Sequence, residues 1–195
     1  MAIGPKYRTQ WPIYARQWDH MELTRPAPIK AVSKKIMANK ERYVGVEKLT
    51  RVPWYMVAVL HMRESDLNFK TQLAQGDPLD RVSRHIPRDR GPFKAWEEGA
   101  YDALVTLKHF DRIIDWRLEK ILYHCEQYNG WGYFVRGLAS PYLWGGSNIQ
   151  QRSKFIADGK FSASAWDNQP GCASVIRGLM DLDSSIKPKR EETDK

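Results

Sequence analysis

The feature that most restricts the fold of this chain is an apolar segment at residues 54–65. It follows Pro53, a residue suited to the first position of a helix. Its side chains are apolar on almost every side, which is typical of a central buried helix. The uninterrupted apolar run from Trp54 to Leu60 has seven residues, whereas a bilayer span needs about 20. The segment therefore predicts a core helix that ends at the charged residues Arg63 and Glu64.

The remaining sequence predicts further helices and little strand. Apolar periodicity and end signals place helices at 29–49, 93–110 and 171–182, and from Asp115 to a stop at Asn129–Gly130. Gly45 is expected to kink or split the first of these helices. Segment 67–92 predicts a loop with a short strand or turn at 69–73. The predicted class is mostly α, with long loops around a central buried helix.

The sequence predicts a single domain between two less regular ends. A length of 195 residues suits a single domain. Residues 1–28 contain three proline breaks, which predict an irregular lead-in, and the domain is expected to cover 29–186. The charged residues 187–195 predict a flexible tail. Residues 1–18 lack the apolar region of a secretory signal, so we expect cytoplasmic synthesis.

The net charge narrows the class of partner. Lys and Arg total 31 against 23 Asp and Glu, a net charge of +8. Such a balance predicts a polyanionic partner, which nucleic acid, an anionic cell wall or an anionic membrane surface would satisfy equally.

Cys125 and Cys172 are expected to be buried thiols, and their pairing stays open because two cysteines do not form a disulfide framework. No zinc spacing, nucleophile elbow or phosphate loop is present, and no cofactor is expected.

Glu64 is the sharpest candidate for chemistry. Burial at the end of the apolar helix would raise the pKa of its carboxyl, while Arg63 or His61 nearby would lower it. A carboxylic acid that keeps its proton near neutral pH can protonate a glycosidic oxygen. Asp77, in a Gly-Asp-Pro turn, is the candidate second carboxylate. The structural alternatives are an ion pair for Glu64 and a simple turn for Asp77.

A group of aromatic residues in glycine-rich loops is the third signal. Aromatic faces stack on sugar rings, and neighbouring amides can hydrogen-bond to hydroxyl or acetamido groups. The alternative is that these rings fill a loop-rich core. The candidate substrate-binding residues are Tyr128, Asn129, Trp131, Tyr133, Tyr142 and Trp144.

These motifs together resemble a known family. The segment from Val57 to Phe69, with its Glu64-Ser65 turn, resembles the catalytic helix of the lysozyme superfamily, near goose-type lysozymes and soluble lytic transglycosylases. Segment 128–133 is similar to the Tyr-Asn-Ala-Gly element of those enzymes, although Gly130-Trp131 stands where Ala-Gly is usual. Segments 76–79, 96–97, 141–144 and 155–161 are similar to the lysozyme family proteins of bacteria and phages.

The resemblance implies a lysozyme-like fold and cleavage of the β-1,4 bond between N-acetylmuramic acid and N-acetylglucosamine. It implies that Glu64 is the general acid and that Asp77 assists, with Ser65 as a substrate-binding residue beside the acid. It also implies that Tyr128 and Asn129 position the glycan. We expect a monomeric endolysin-like muramidase of phage or prophage origin that binds peptidoglycan strands and acts in the periplasm or on the wall after release.

Three alternatives stay open. A lytic transglycosylase would use the 6-hydroxyl of the sugar as nucleophile and form a 1,6-anhydro product. A non-catalytic wall-binding or virion protein would bind peptidoglycan without releasing fragments. A nucleic-acid-binding module rests on charge alone, because the arginines are scattered and no recognition motif is present.

Overall fold

The computed structural model describes residues 4–157 and 159–192, which divide into two compact units. The first unit comprises the described residues up to Lys34 and from Arg117 onward, and the second comprises Lys35–Trp116. Helices dominate both, and the small antiparallel sheet consists of β1 and β2, so the mostly α class is confirmed. The helices are α1 Tyr7–Asp19, α2 Pro26–Ala38, α3 Lys40–Thr50, α4 Trp54–Ser65, α5 Trp96–Tyr101, α6 Leu118–Asn129, α7 Pro141–Trp144 and α8 Cys172–Leu182; the strands are β1 Lys154–Ala157 and β2 Lys160–Ser162.

The second unit is built around α4. Eight residues of this helix are buried, from Trp54 to Met62 with Tyr55 half-buried, as its apolar sequence predicts. Helix α3 packs against both α4 and α5. Helix α5 continues into a π-helical turn, Asp102–Leu107, so the predicted helix at 93–110 begins three residues late and changes its hydrogen-bond pattern before its end.

The predicted long helix at 29–49 is wrong, because it is two helices. Asn39 separates them with φ −117° and ψ 17°. Its side-chain amide donates to the carbonyl of Lys35 at 3.0 Å, and its backbone N–H donates to that of Ile36. Asparagine breaks a helix in this way because its side chain competes for backbone groups. Gly45, the expected weak point, lies inside α3 without a break.

In the first unit, α1 packs on α6, while α7 and α8 pack together. Segment 1–28 was expected to be irregular, yet α1 occupies Tyr7–Asp19 and tolerates Pro12 within it. That expectation is wrong because Tyr14 and Trp18 form a buried stripe, and this tertiary contact outweighs the proline penalty. Helix α8 agrees with the prediction for 171–182.

The predicted flexible tail is docked in the residues that the structure describes. The carbonyl of Lys189 accepts a hydrogen bond from the N–H of Leu118 at 2.8 Å, at the start of α6. Arg190 pairs with the buried Glu119, and Glu191 pairs with Arg117. The hydrogen bond to Leu118 satisfies one of the unpaired N–H groups at the start of α6, which begins at Leu118 rather than at Asp115. Residues 193–195 lie outside the described part.

Two further expectations concern small features. Cys125 and Cys172 are both buried, as predicted, and the structure shows them as free thiols. Burial, followed by a hydrogen bond with Cys172, raises the pKa of the Cys125 thiol well above its ordinary value. The expected strand or turn at 69–73 is a single bridge between Thr71 and Pro78. Across the described residues, each helix is too short or too polar to cross a membrane.

Candidate functional site

Glu64 lies on the last turn of α4, where the helix ends abruptly. Asp66 and Leu67 both adopt left-handed backbone conformations, with φ 51° and 61°. Their N–H groups donate back to the carbonyls of Met62 and His61, which terminates the helix and reverses the chain. Glu64 itself is half-buried. A carboxyl in this position is next to solvent and at the negative end of the helix dipole, which disfavours an additional negative charge.

The loop after α4 folds back toward Glu64. The N–H of Gln72 donates to the carbonyl of Asp77 at 2.7 Å, and the N–H of Gly76 donates to that of Gln72 at 2.9 Å. This tight turn brings Gly76 to the helix end, so that a Cβ on Gly76 would lie 3.7 Å from the carbonyl oxygen of Glu64. Gly76 has φ +73°, a conformation that favours glycine. The structure therefore brings the Gly-Asp-Pro turn beside the backbone of Glu64.

A lysine lies within electrostatic range of Glu64. Burial lowers the pKa of Lys108, and the negative charge of Glu64 opposes this shift. The charges of Lys108 and Glu64 therefore interact. Sequence reasoning missed Lys108 because it lies far from Glu64 in the chain and belongs to no motif.

The rings of Tyr43, His61, Phe69 and Trp96 pack together near the end of α4. The ring of His61 lies 4.4 Å from that of Trp96 and 4.6 Å from that of Phe69, measured between centroids. Its Nδ1 is 3.0 Å from the hydroxyl oxygen of Tyr43. Burial lowers the pKa of His61 to about 4. His61 is therefore a neutral core residue at ordinary pH, and it is too enclosed to pair with Glu64 as a cation.

An ion pair closes this cluster on its outer side. The guanidinium of Arg42 donates to both carboxylate oxygens of Glu97, at 2.7 and 3.0 Å, and lies 3.9 Å from the centroid of the Phe69 ring. The hydrogen bond from Arg42 lowers the pKa of Glu97. Arg42 thereby helps to hold Phe69 in place near the start of the loop that follows α4.

Asp77 is engaged by its own loop. One carboxylate oxygen accepts from the N–H groups of Arg84 and His85, at 2.8 and 3.0 Å, and the other lies 2.6 Å from Nδ1 of His85. The hydrogen bond from the backbone of His85 is the largest cause that lowers the pKa of Asp77. A carboxylate with these partners holds loop 77–85 together. The arrangement favours the structural alternative, and a catalytic part for Asp77 stays a prediction.

Ser65 is also engaged locally, because its hydroxyl donates to the carbonyl of His61 at 3.3 Å.

Residues of the loop that follows α4 line a surface groove of about 390 Å³. Phe69 and Phe93 contribute rings to it, and charged residues flank them. Rings beside charged groups are suited to a sugar polymer with polar substituents. The charged lining residues are Lys70, Asp80, Arg81 and Lys94.

In the first unit, most of the predicted sugar-stacking residues are core residues. Tyr128, Tyr133, Tyr142 and Trp144 are all buried, with exposed fractions of 8% or less. The hydroxyl of Tyr133 accepts from the N–H of Phe155 at 3.2 Å, and its ring packs on Phe155. Their ring faces are withdrawn from solvent, so the stacking role expected for these four residues does not fit their placement. They fill the core, as the alternative held.

Asn129 and Trp131 are more accessible. Asn129 is the last residue of α6 and is exposed, and Gly130, with φ +91°, ends the helix as the sequence predicts. Trp131 is half-buried and packs against Tyr123, with ring centroids 5.0 Å apart. Of the predicted substrate-binding residues in this unit, these two keep side-chain surface that a ligand could reach.

Searches for similar proteins add nothing to this placement. Family models, curated proteins and solved structures all gave no match to the chain. Among the described residues, no group of three or more His, Cys, Asp or Glu side chains could hold a metal ion. The resemblance to the lysozyme superfamily therefore rests on the motifs in the sequence.

Proposed function

We propose that this protein is a peptidoglycan hydrolase that cleaves the β-1,4 bond between N-acetylmuramic acid and N-acetylglucosamine. The observation that carries the proposal is the position of Glu64, half-buried on the last turn of the apolar helix α4 and within electrostatic range of the half-buried Lys108. Glu64 gives its proton to the glycosidic oxygen as the bond to the anomeric carbon breaks. Lys108 then stabilises the carboxylate that remains.

The state of Asp77 bears on how the reaction is completed. Its carboxylate is occupied by Arg84 and His85, so Glu64 is the carboxyl with the better access to a substrate. With a single acid, either water or the 6-hydroxyl of the sugar attacks the anomeric carbon. The second route is that of a lytic transglycosylase, and the bonding of Asp77 gives this alternative specific support.

Substrate contacts are proposed for the accessible candidates. Phe69 and Phe93 in the groove of the second unit, and Asn129 and Trp131 in the first, have surface available for sugar rings and acetamido groups. The net charge of +8 supports adsorption to an anionic wall. The place of action that follows is the periplasm or the cell wall, as for an endolysin of a phage or prophage.

The test is the variant Glu64→Gln, with Glu41→Gln as the control, since Glu41 is an exposed carboxylate of the same unit. Release of soluble fragments from purified peptidoglycan is expected to fall at least about 100-fold in Glu64→Gln, the usual contribution of a general acid. Glu41→Gln is expected to match the wild type. Both should keep the wild-type circular dichroism spectrum and melting temperature within a few degrees.

The products distinguish the reactions. Mass spectrometry of the fragments reports one added water for a hydrolase and none for a transglycosylase. Undiminished release by a folded Glu64→Gln variant would reject the mechanism. A wild-type protein that sediments with peptidoglycan and releases no fragments would reject the enzyme and leave the wall-binding alternative.

A further inference from the structure

A second pocket lies within the first unit, on residues that the proposed reaction does not use. It has a volume of about 200 Å³ and is formed by α1, α6, segment 134–140 and α7. Ile13 and Gly137, both exposed, stand at its rim. The residues that decide its chemistry are Gln10, Tyr14, Gln17, Glu126, Ser140 and Trp144.

Two buried polar side chains line this pocket without a complete set of partners. Glu126 is 5% exposed and Gln10 is 8% exposed. The hydroxyl of Tyr14 donates to Oε2 of Glu126. Within residues 4–157 and 159–192, neither Oε1 of Glu126 nor the amide of Gln10 has a hydrogen-bond partner in the protein. Both groups are accessible from the pocket rather than fully enclosed, so a ligand that enters the pocket can reach them.

The charge of the pocket is also unbalanced. Burial raises the pKa of Glu126 to about 7, and the hydrogen bond from Tyr14 only partly opposes this. Besides Glu126, the titratable groups here are Tyr14 on α1 and Tyr123 and Cys125 on α6, and all three are neutral at about pH 7. The lining residues from segment 134–140 and α7 carry no charge. A cation is therefore the ligand charge that the pocket lacks.

We propose that this pocket binds a small ligand with a primary ammonium group and a short aliphatic body. An ammonium has three donors and no acceptor, which matches the free oxygens of Glu126 and Gln10 and the hydroxyl of Ser140. The rings of Tyr14 and Trp144 favour a cation near their faces. The apolar part of the ligand lies against Ile13, Leu138 and Ala139.

The probes are n-butylammonium and the neutral N-butylacetamide, titrated calorimetrically into the full chain between about pH 5 and about pH 9. Because the bound cation displaces the proton of Glu126, the affinity for n-butylammonium is expected to rise about tenfold per pH unit up to about pH 7 and then to level off. Glu126→Gln should weaken binding at least about tenfold at about pH 8. Glu22→Gln, an exposed carboxylate of the same unit, should not change it.

A second variant guards against a folding defect in Glu126→Gln. Ala139→Leu fills the pocket from the loop side and keeps the carboxyl, and it should abolish binding while preserving the circular dichroism spectrum. The proposal is overturned if N-butylacetamide binds as tightly as n-butylammonium, or if affinity does not depend on pH. It is also overturned if both folded variants bind like the wild type, or if the wild type shows no binding up to about 50 mM probe.

Discussion

At the scale of single residues, the surroundings of Asp77 decide how its carboxylate can be used. We expect Asp77→Asn to loosen loop 77–85, because an amide cannot replace all the acceptor contacts with Arg84 and His85. Hydrogen exchange at these two backbone amides should become faster. Fragment release from peptidoglycan should fall less than about tenfold, against the 10²–10⁴-fold typical of a lost acid or base. A loss as large as that of Glu64→Gln would instead assign Asp77 to the reaction.

His61 ties the stability of the second unit to pH. The pKa of an unfolded histidine is about 6.5, and in the folded chain burial lowers the pKa of His61 to about 4. Between these values the unfolded state binds the extra proton, so the free energy of unfolding falls as the pH falls, by up to about 3 kcal/mol. Above the upper value this contribution vanishes.

Urea unfolding of wild type and His61→Gln at several pH values checks this. The variant should lose stability less steeply than the wild type as the pH falls from about 6.5 to about 4. His20→Gln, at an exposed site, should follow the wild-type curve. Parallel curves for His61→Gln and the wild type would mean that His61 is not buried in its neutral form.

At the scale of elements, replacing Gly45 or Gly171 by alanine is expected to change the free energy of unfolding in opposite directions. Gly45 lies inside α3, where an added Cβ meets no atom within 4 Å. Gly45→Ala should therefore raise the free energy of unfolding by about 0.5–1 kcal/mol through helix propensity. Gly171 precedes α8, and its added Cβ would collide with the backbone of Leu143 and Gly145.

Gly171→Ala should lower the free energy of unfolding by more than about 3 kcal/mol, since rigid backbone cannot give way as a side-chain end can. Thermal and urea unfolding of the two variants measure both effects. A neutral Gly171→Ala would show that the junction between α7 and α8 is looser than the hydrogen bond from Gly171 N–H to the Gly145 carbonyl, at 2.8 Å, indicates.

At the scale of the whole molecule, the net charge of +8 predicts salt-dependent adsorption to anionic cell walls. The fraction of protein that sediments with walls should fall as salt rises from about 50 to about 500 mM. Replacing Arg81, Arg84 and Arg88 of the exposed loop by Gln should weaken adsorption several-fold. The same change at Lys30, Lys34 and Lys35 tests net charge alone and should have a smaller effect. Adsorption that ignores salt, or equally tight binding to duplex DNA, would contradict the assignment of the charge to the wall.

Local patterns determined much of the secondary structure. The buried helix α4, the stop of α6 at Gly130 and the extent of α8 follow from periodicity and end signals within a few neighbouring residues. The position of Glu64 at the end of an apolar helix follows in the same way. The break at Asn39 was missed because asparagine ends a helix only when its amide reaches the backbone, as it does at Lys35.

Tertiary structure alone decided which candidate residues are accessible and what they contact. Aromatic rings that fill a core and rings that stack on sugars have the same sequence signature, and packing placed Tyr142 and Trp144 in the core. The contacts of Tyr14 with Glu126 and of Arg190 with Glu119, and the charge interaction of Lys108 with Glu64, join residues far apart in the chain. Periodicity cannot detect such pairs, because they depend on how helices pack rather than on which residues are neighbours along the chain.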